Sequence, residues 1–170
     1  MKDLNITNYI SYFKDIAGRH KDIQGFYIMD INELESDVRS KLQYPALVLT
    51  ALTGDIAAGN DDNILNNLKN GFIILQHVNE LNDYKAEMDA MASSFQIGLQ
   101  VISKIRHDVQ TCSNDLADID MNSIKYEMMG PVYDNDWGVM FTSDIFYQVS
   151  DLVYNAAIWL DEPKEGMSGY

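Results

Sequence analysis

Aspartates in three close groups are the residues whose type and spacing suit a cation: Asp61-Asp62, Asp118 with Asp120, and Asp134 with Asp136. Asp118-Ile119-Asp120-Met121-Asn122 begins like a calcium loop, in which alternate side-chain oxygens wrap a hard ion. The pattern then departs, with Ser123 where the turn glycine belongs and Met129 where the bidentate glutamate belongs. Turn formation and solvation account for all three groups, so no metal ligand is assigned. His77-Val78-Asn79-Glu80 has a loose ligand spacing, but His20, His77 and His107 are dispersed along the chain. Cys112 follows His107 by five residues, a spacing that is not diagnostic of a nucleophile and its base. A small core or boundary cysteine is the better reading. The G-x-S-x-G elbow, the P-loop, the dinucleotide-binding glycine run and H-E-x-x-H are all missing. The expectation is no catalytic residue, no cofactor, no metal and no enzymatic activity.

Large aromatics beside acidic loops offer a different chemistry, that of contact. Tyr133, Asp134, Asp136 and Trp137 cluster at one point of the chain, and Tyr154 and Trp159 follow near its end. Aromatic side chains of this kind are enriched at protein–protein contacts. These six residues form the candidate interface, with ordinary core packing as the alternative.

The formal net charge of -14 narrows the partners. Phosphate binding needs clustered Lys and Arg, and the 12 basic residues here are scattered. The chain should repel nucleic acid and anionic membrane surfaces, and it should stay dissolved. A single cysteine rules out an internal disulfide framework and suits a reducing cytosol. The first residues lack the uninterrupted apolar core of a signal peptide, and no apolar run approaches the roughly 18 residues that span a bilayer. A soluble protein that starts inside a cell is expected.

The elements that must position these residues follow from periodicity. Residues Lys125 to Val149 read as a long β-hairpin whose tip, Pro131 to Asp136, is dense in turn formers. Val139, Phe141, Ile145, Tyr147 and Val149 alternate with Met140, Thr142, Asp144 and Gln148. Earlier, Ile6, Tyr9, Ile10, Phe13, Ile16 and Ala17 make one helical stripe, with Gly18 as a stop. Phe26 to Met29 reads as a short strand. A helix from about Asp30 to Gln43 carries Ile31, Leu34, Val38 and Leu42 and ends before Pro45. Pro45 to Leu52 is the most continuous apolar run, with apolar residues at both parities, as in a strand covered on both faces. Thr53 to Asp62 reads as a loop. Asn63 to Leu68 and Phe72 to Val78 flank Lys69-Asn70-Gly71, and Asn-Gly between apolar segments signals a tight hairpin.

From Asp83 to about Thr111 lies the longest helix. Its stripe is Met88, Met91, Phe95, Gly98, Ile102, Ile105 and Val109, widened by Ile97, Leu99 and Val101. This arc is broader than one sheet face covers, which leaves apolar surface for a neighbour. Leu152 to Leu160 is short and apolar, and 161–170 reads as a loose tail. The order of elements gives a single α+β domain over 1–160, with a mainly antiparallel sheet packed by a long helix and shorter ones.

Three local patterns, set in that order, resemble a family. They are Leu42-Gln43-Tyr44-Pro45-Ala46-Leu47-Val48-Leu49, Gly71-Phe72-Ile73-Ile74-Leu75 ahead of a long helix, and Asn135-Asp136-Trp137-Gly138-Val139-Met140-Phe141-Thr142. Together, over most of 1–160, they resemble prophage-type tail-terminator (tail-completion) proteins of tailed bacteriophages. The resemblance implies helices against a mixed or antiparallel sheet, and a ring of identical subunits capping the tail tube. It implies as partners a second copy of the chain and other tail or head–tail proteins, with no sequence-specific nucleic acid and no membrane. It places the protein in the host cytoplasm during assembly and then in the virion. A ring lumen through which DNA slides should repel phosphate, which agrees with the acidity. The competing expectation is a standalone acidic intracellular binding module, an adaptor or a nucleic-acid-mimic inhibitor.

Overall fold

The computed structural model describes residues 6–29, 42–57, 65–111, 118–132 and 135–148. Two helices, α1 (Ile6–Arg19) and α2 (Tyr84–Gln110), pack on a sheet built from β1 (Gly25–Met29), β2 (Ala46–Thr50), β3 (Thr53–Ala57), β4 (Leu65–His77), β5 (Asp118–Ile119), β6 (Lys125–Val132) and β7 (Asp136–Gln148). The architecture is α+β. Among the described residues every strand pairing is antiparallel except that of β1 with β2.

The centre of the sheet is the pair β4–β7, in register over thirteen residues from Leu65↔Gln148 to His77↔Asp136. The other edge of β4 is shared in series: β2 pairs with Phe72 to Leu75, and β3 with Leu65 to Lys69. Between Leu49↔Phe72 and Thr53↔Lys69, three residues of one strand (Thr50, Ala51, Leu52) face two of the other (Gly71, Asn70). That one extra residue is a β-bulge, and it divides a continuous edge into β2 and β3.

This pairing overturns two expectations. Asn70-Gly71 is no turn, because β4 runs straight through it. Asn70 is buried instead, and its Nδ2 donates to the Ser143 carbonyl at 2.9 Å and to Ser143 Oγ at 2.8 Å on β7. Gly71 lies where the bulge crowds the sheet: an added Cβ would stand 2.9 Å from Thr50 Oγ1 and 3.1 Å from the Phe141 carbonyl oxygen. Thirteen residues of ladder outweigh a local turn preference. Nor is Thr53 to Ala57 a loop, since it is the strand β3, antiparallel to β4; residues 58–62 of the expected loop lie outside the described residues. The expected helix over Asp30 to Gln43, apart from Leu42 and Gln43, lies outside the described residues, as do Leu152 to Leu160 and the 161–170 tail.

One face of the sheet carries both helices. Leu47, Leu49, Phe72, Ile74, Val139, Phe141 and Ile145 meet Tyr9, Phe13, Ile16 and Ala17 of α1 and Ile97, Val101 and Ile105 of α2. On the opposite face Ala46, Val48, Ile73 and Leu75 form a second cluster with Tyr44, Met129 and Met140 around it. Residues Ala46 to Leu49 are buried at both parities, as their continuous apolar run requires. The helix α1 ends at Arg19, one residue past Gly18.

The helix α2 begins where its cap predicts: the Asp83 side chain accepts the Ala86 N–H at 3.1 Å. Its buried stripe differs from the expected one. Ala90, Ser94, Ile97, Gly98, Val101, Ile105 and Asp108 face inward, while Met88 and Leu99 are exposed. At 100° per residue the helix is turned by about 80° from the stripe of largest side chains. The reason is distance. Small residues at 90, 94 and 98 let α2 settle close to β7, so close that a Cβ on Gly98 would overlap the Phe141 ring. Asp108 then ties the helices together, accepting the Tyr12 hydroxyl at 2.9 Å and the Lys104 ammonium at 2.5 Å. No helix among the described residues is long and apolar enough to cross a membrane.

Candidate functional site

The hairpin β6–β7 forms as its alternation predicts, with Tyr126↔Phe141 and Met128↔Val139 in register. A bulge falls between Met129↔Gly138 and Val132↔Asp136, where Gly130 and Pro131 face Trp137 alone. Gly130 takes φ +151°, and a Cβ there would overlap the Trp137 indole, so the ring lies close against the backbone. Asn135 closes the hairpin loop at φ 69°, a left-handed conformation that Asn tolerates. Its buried side chain clips the loop after β4: Nδ2 donates to the carbonyls of Val78 at 2.7 Å and Glu80 at 3.1 Å, and Oδ1 accepts from Trp137 Nε1 at 2.9 Å.

Beside Asn135, the β4–β7 ladder ends on His77↔Asp136. Asp136 is only 3 % exposed. One carboxylate oxygen meets His77 Nδ1 at 2.8 Å, and the other accepts the Tyr44 hydroxyl at 2.7 Å. The Tyr44 and His77 rings lie 5.7 Å apart at 32°. An ionised carboxylate is an acceptor only, so it holds His77 in the tautomer that carries its proton on Nδ1. Two clefts border the imidazole. One of about 560 Å³ runs along the start of α2 past Glu80, Asp83 and Asp89; the other, about 590 Å³, passes Glu87, Pro131 and Trp137.

An oriented imidazole is half of an acid–base pair, and no second half is assembled beside it among the described residues. No group of three or more His, Cys, Asp or Glu side chains able to hold a metal occurs among the described residues. What the cluster does physically is fasten three separate parts of the chain: the segment two residues before β2, the end of β4 and the tip of the β6–β7 hairpin, where β7 begins. Sequence reading missed this constellation, because Tyr44, His77 and Asp136 are far apart in the chain and no spacing rule links them.

Of the six candidate interface residues, Asp136 is thus buried within the chain, and Trp137 is half-buried against Gly130. Tyr133, Asp134, Tyr154 and Trp159 lie outside the described residues, as do Cys112 and Asp61-Asp62. Asp120 is engaged in a turn, accepting the Asn122 N–H at 2.9 Å, as its turn-forming reading expects.

A group of exposed apolar side chains lies elsewhere, on α2 and the neighbouring strand β6. Tyr126 is 59 % exposed and Met128 50 %, both on the helix-bearing face, since their partners Phe141 and Val139 are buried there. Phe95 reaches across from α2 to the Tyr126 ring, with centroids 5.0 Å apart. Met88 and Leu99 fall on the same line of the helix as Phe95 and are also exposed. The signal was present in the sequence as the excess apolar arc of α2 and the alternation of Tyr126 with Met128.

Compared with known proteins, the chain matches no protein-family model and no curated protein sequence.

Proposed function

We propose that this chain is a non-enzymatic structural subunit of a phage-like particle, resembling a tail terminator, that works by joining copies of itself into a ring at the end of the tail tube. The observation that carries the reading is the apolar strip of Met88, Leu99, Tyr126 and Met128 on a chain of net charge -14. Contiguous exposed apolar surface of this kind marks a contact site. The acidity supports a lumen that lets DNA pass without holding it, and it argues against a nucleic-acid-binding role. Assembly would take place in the host cytoplasm, and the finished ring would meet tail or head–tail proteins.

The two features act against each other in a way that can be measured. Like-charged subunits repel at long range, and about 1 M salt shortens that repulsion to roughly 3 Å. Apolar contact is not weakened by salt. Light scattering coupled to size exclusion should therefore show mass rising with sodium chloride and with protein concentration. Negative-stain images of the high-salt fraction should show closed rings. A monomer at every salt and concentration overturns the reading.

A further inference from the structure

We infer that the exposed flank of α2 is covered by the same flank of a second copy, the two helices lying antiparallel about a two-fold axis between Ala92 and Phe95. The pairing rests on the reading of the chain as a self-assembling subunit, and it names the surface and its partner. A two-fold contact closes on itself, so a ring is then built from pairs, with another surface joining pair to pair.

Helical geometry defines the flank. At 100° per residue, Tyr84, Met88, Phe95, Leu99 and Arg106 fall within about 60° of one another, to one side of the buried stripe of α2. Tyr84 is 73 % exposed, and Met88 and Leu99 are exposed with it. Tyr126 and Met128 of β6 continue the apolar surface beside Phe95. Exposed apolar side chains so grouped mark a contact. Three properties select a second copy, set antiparallel, as what covers them.

Charge is the first. From Glu80 to Phe95 the carboxylates of Glu80, Asp83, Glu87 and Asp89 are opposed by Lys85 alone. From Gln96 to Gln110 the chain carries Lys104 and Arg106, and its one carboxylate, Asp108, is buried and held by Lys104 and Tyr12. With the axis between Ala92 and Phe95, the acidic start of one helix comes against residues 98–107 of the other. That span has no carboxylate. A parallel pair would instead set acidic start against acidic start, on chains whose net charge already repels.

Shape is the second. Ala92 is exposed and small, which leaves room for the Phe95 ring of the other copy. Met88 then faces Leu99 across the axis, two exposed side chains of similar volume that cover each other. The symmetry makes each of these contacts twice.

The third is how the ends meet. Arg106 reaches the turn before α2 of the other copy, where Glu80 and the exposed Leu81 lie. Its guanidinium comes to the Glu80 carboxylate, and its apolar stem covers Leu81. Asn135 already holds that turn, because its Nδ2 donates to the carbonyls of Val78 and Glu80. The receiving end is therefore ordered before contact, which lowers the cost of pairing.

Site-specific cross-linking tests the arrangement. Ala92→Cys, Met88→Cys and Leu99→Cys are made separately in a Cys112→Ser background, all at exposed positions of α2. Each is treated with a short bis-maleimide at 1 M sodium chloride, and the same samples are weighed by light scattering. Ala92→Cys alone is expected to give a covalent dimer and nothing larger. Met88→Cys and Leu99→Cys are expected to link when mixed and not alone, since each lies about 16 Å along the axis from its own twin. Self-linking of Met88→Cys would mean that the helices run parallel, which overturns the pairing. Oligomers by mass without the Ala92→Cys link overturn the pairing and leave the assembly reading standing. Monomers by mass at every concentration overturn both.

Discussion

Gly98 of α2 lies directly against the ring of Phe141 of β7, with no room between them for a methyl group. The Phe141 ring is stacked with Phe72, at 5.2 Å and 16°, and with Phe95, at 6.1 Å and 15°. It cannot step aside without unstacking both. Gly98→Ala is expected to destabilise by about 1–3 kcal/mol, the usual cost of overpacking, despite the gain in helix propensity. Gly98→Leu should cost more and lift the helix off the sheet. Urea denaturation checks this, and an unchanged midpoint for Gly98→Ala would show that the helix sits farther out.

A second close approach concerns Thr50 and Gly71. Thr50 Oγ1 donates to the Gly71 carbonyl at 2.9 Å, across the bulge that separates β2 from β3. Gly71→Ala is expected to destabilise by about 1–3 kcal/mol through contact with Thr50 and with the Phe141 carbonyl. Because no turn is present, the cost is steric and not one of backbone handedness. Thr50→Ala removes one of the two obstacles, so the double variant should be more stable than the sum of the singles implies, by at least about 0.5 kcal/mol. Additive losses would place the obstruction at the backbone of Phe141 alone.

These two glycines also show what the sequence could and could not disclose. The termini of α2, the strand β2 and the hairpin β6–β7 were legible because each follows from local chemistry: a capping Asp83, apolar residues at both parities, alternation around a turn-rich tip. The role of Gly71 was not legible. Its meaning depends on a bulge in a strand twenty residues earlier, and the local Asn-Gly preference points the other way. The rotation of α2 was hidden for a related reason. Hydrophobic periodicity weighs large side chains, whereas closeness to the sheet is decided by the small ones at 90, 94 and 98. The cluster of Tyr44, His77 and Asp136 needed the β4–β7 register, which only long-range pairing supplies.

That cluster makes its own prediction. Asp136 accepts from two groups at once, so Asp136→Ala removes both contacts. His77 is exposed and can turn to water, so the larger cost falls on the part-buried Tyr44 hydroxyl, which loses its carboxylate acceptor. Tyr44→Phe removes only one hydrogen bond to a charged acceptor, at about 1.5–3 kcal/mol. The Tyr44→Phe/Asp136→Ala pair should lose less than the two singles together, since both singles break the same hydrogen bond. Chemical denaturation of the four proteins gives the coupling directly. A coupling of zero would mean that the hydroxyl finds water when the carboxylate is removed.

The last prediction comes from Tyr9, which is fully buried on α1 with a hydroxyl that has no hydrogen-bond partner among the described residues. Its ring packs on Phe13 at 5.0 Å, so the apolar body is well placed and only the oxygen is out of keeping. Tyr9→Phe keeps the ring and removes the orphaned group, and it is expected to leave stability unchanged or raise it by about 1 kcal/mol at neutral pH. Alkali should separate the two proteins further. Burial pushes the Tyr9 phenol well above its ordinary range, by disfavouring the phenolate. The unfolded chain, with a tyrosine pKa near 10, releases its proton first. Above that pH the unfolded state binds fewer protons than the native state, so stability falls as pH rises. The contribution of Tyr9 is fully present below about pH 9 and should shrink by about 1.4 kcal/mol by pH 11, near 1.36 kcal/mol for each unit. The Phe variant lacks this loss, while the other tyrosines titrate alike in both proteins and cancel in the difference. Urea midpoints measured from pH 8 to pH 11 should diverge in favour of Tyr9→Phe. Parallel curves would mean that the hydroxyl reaches water or a partner in the native state.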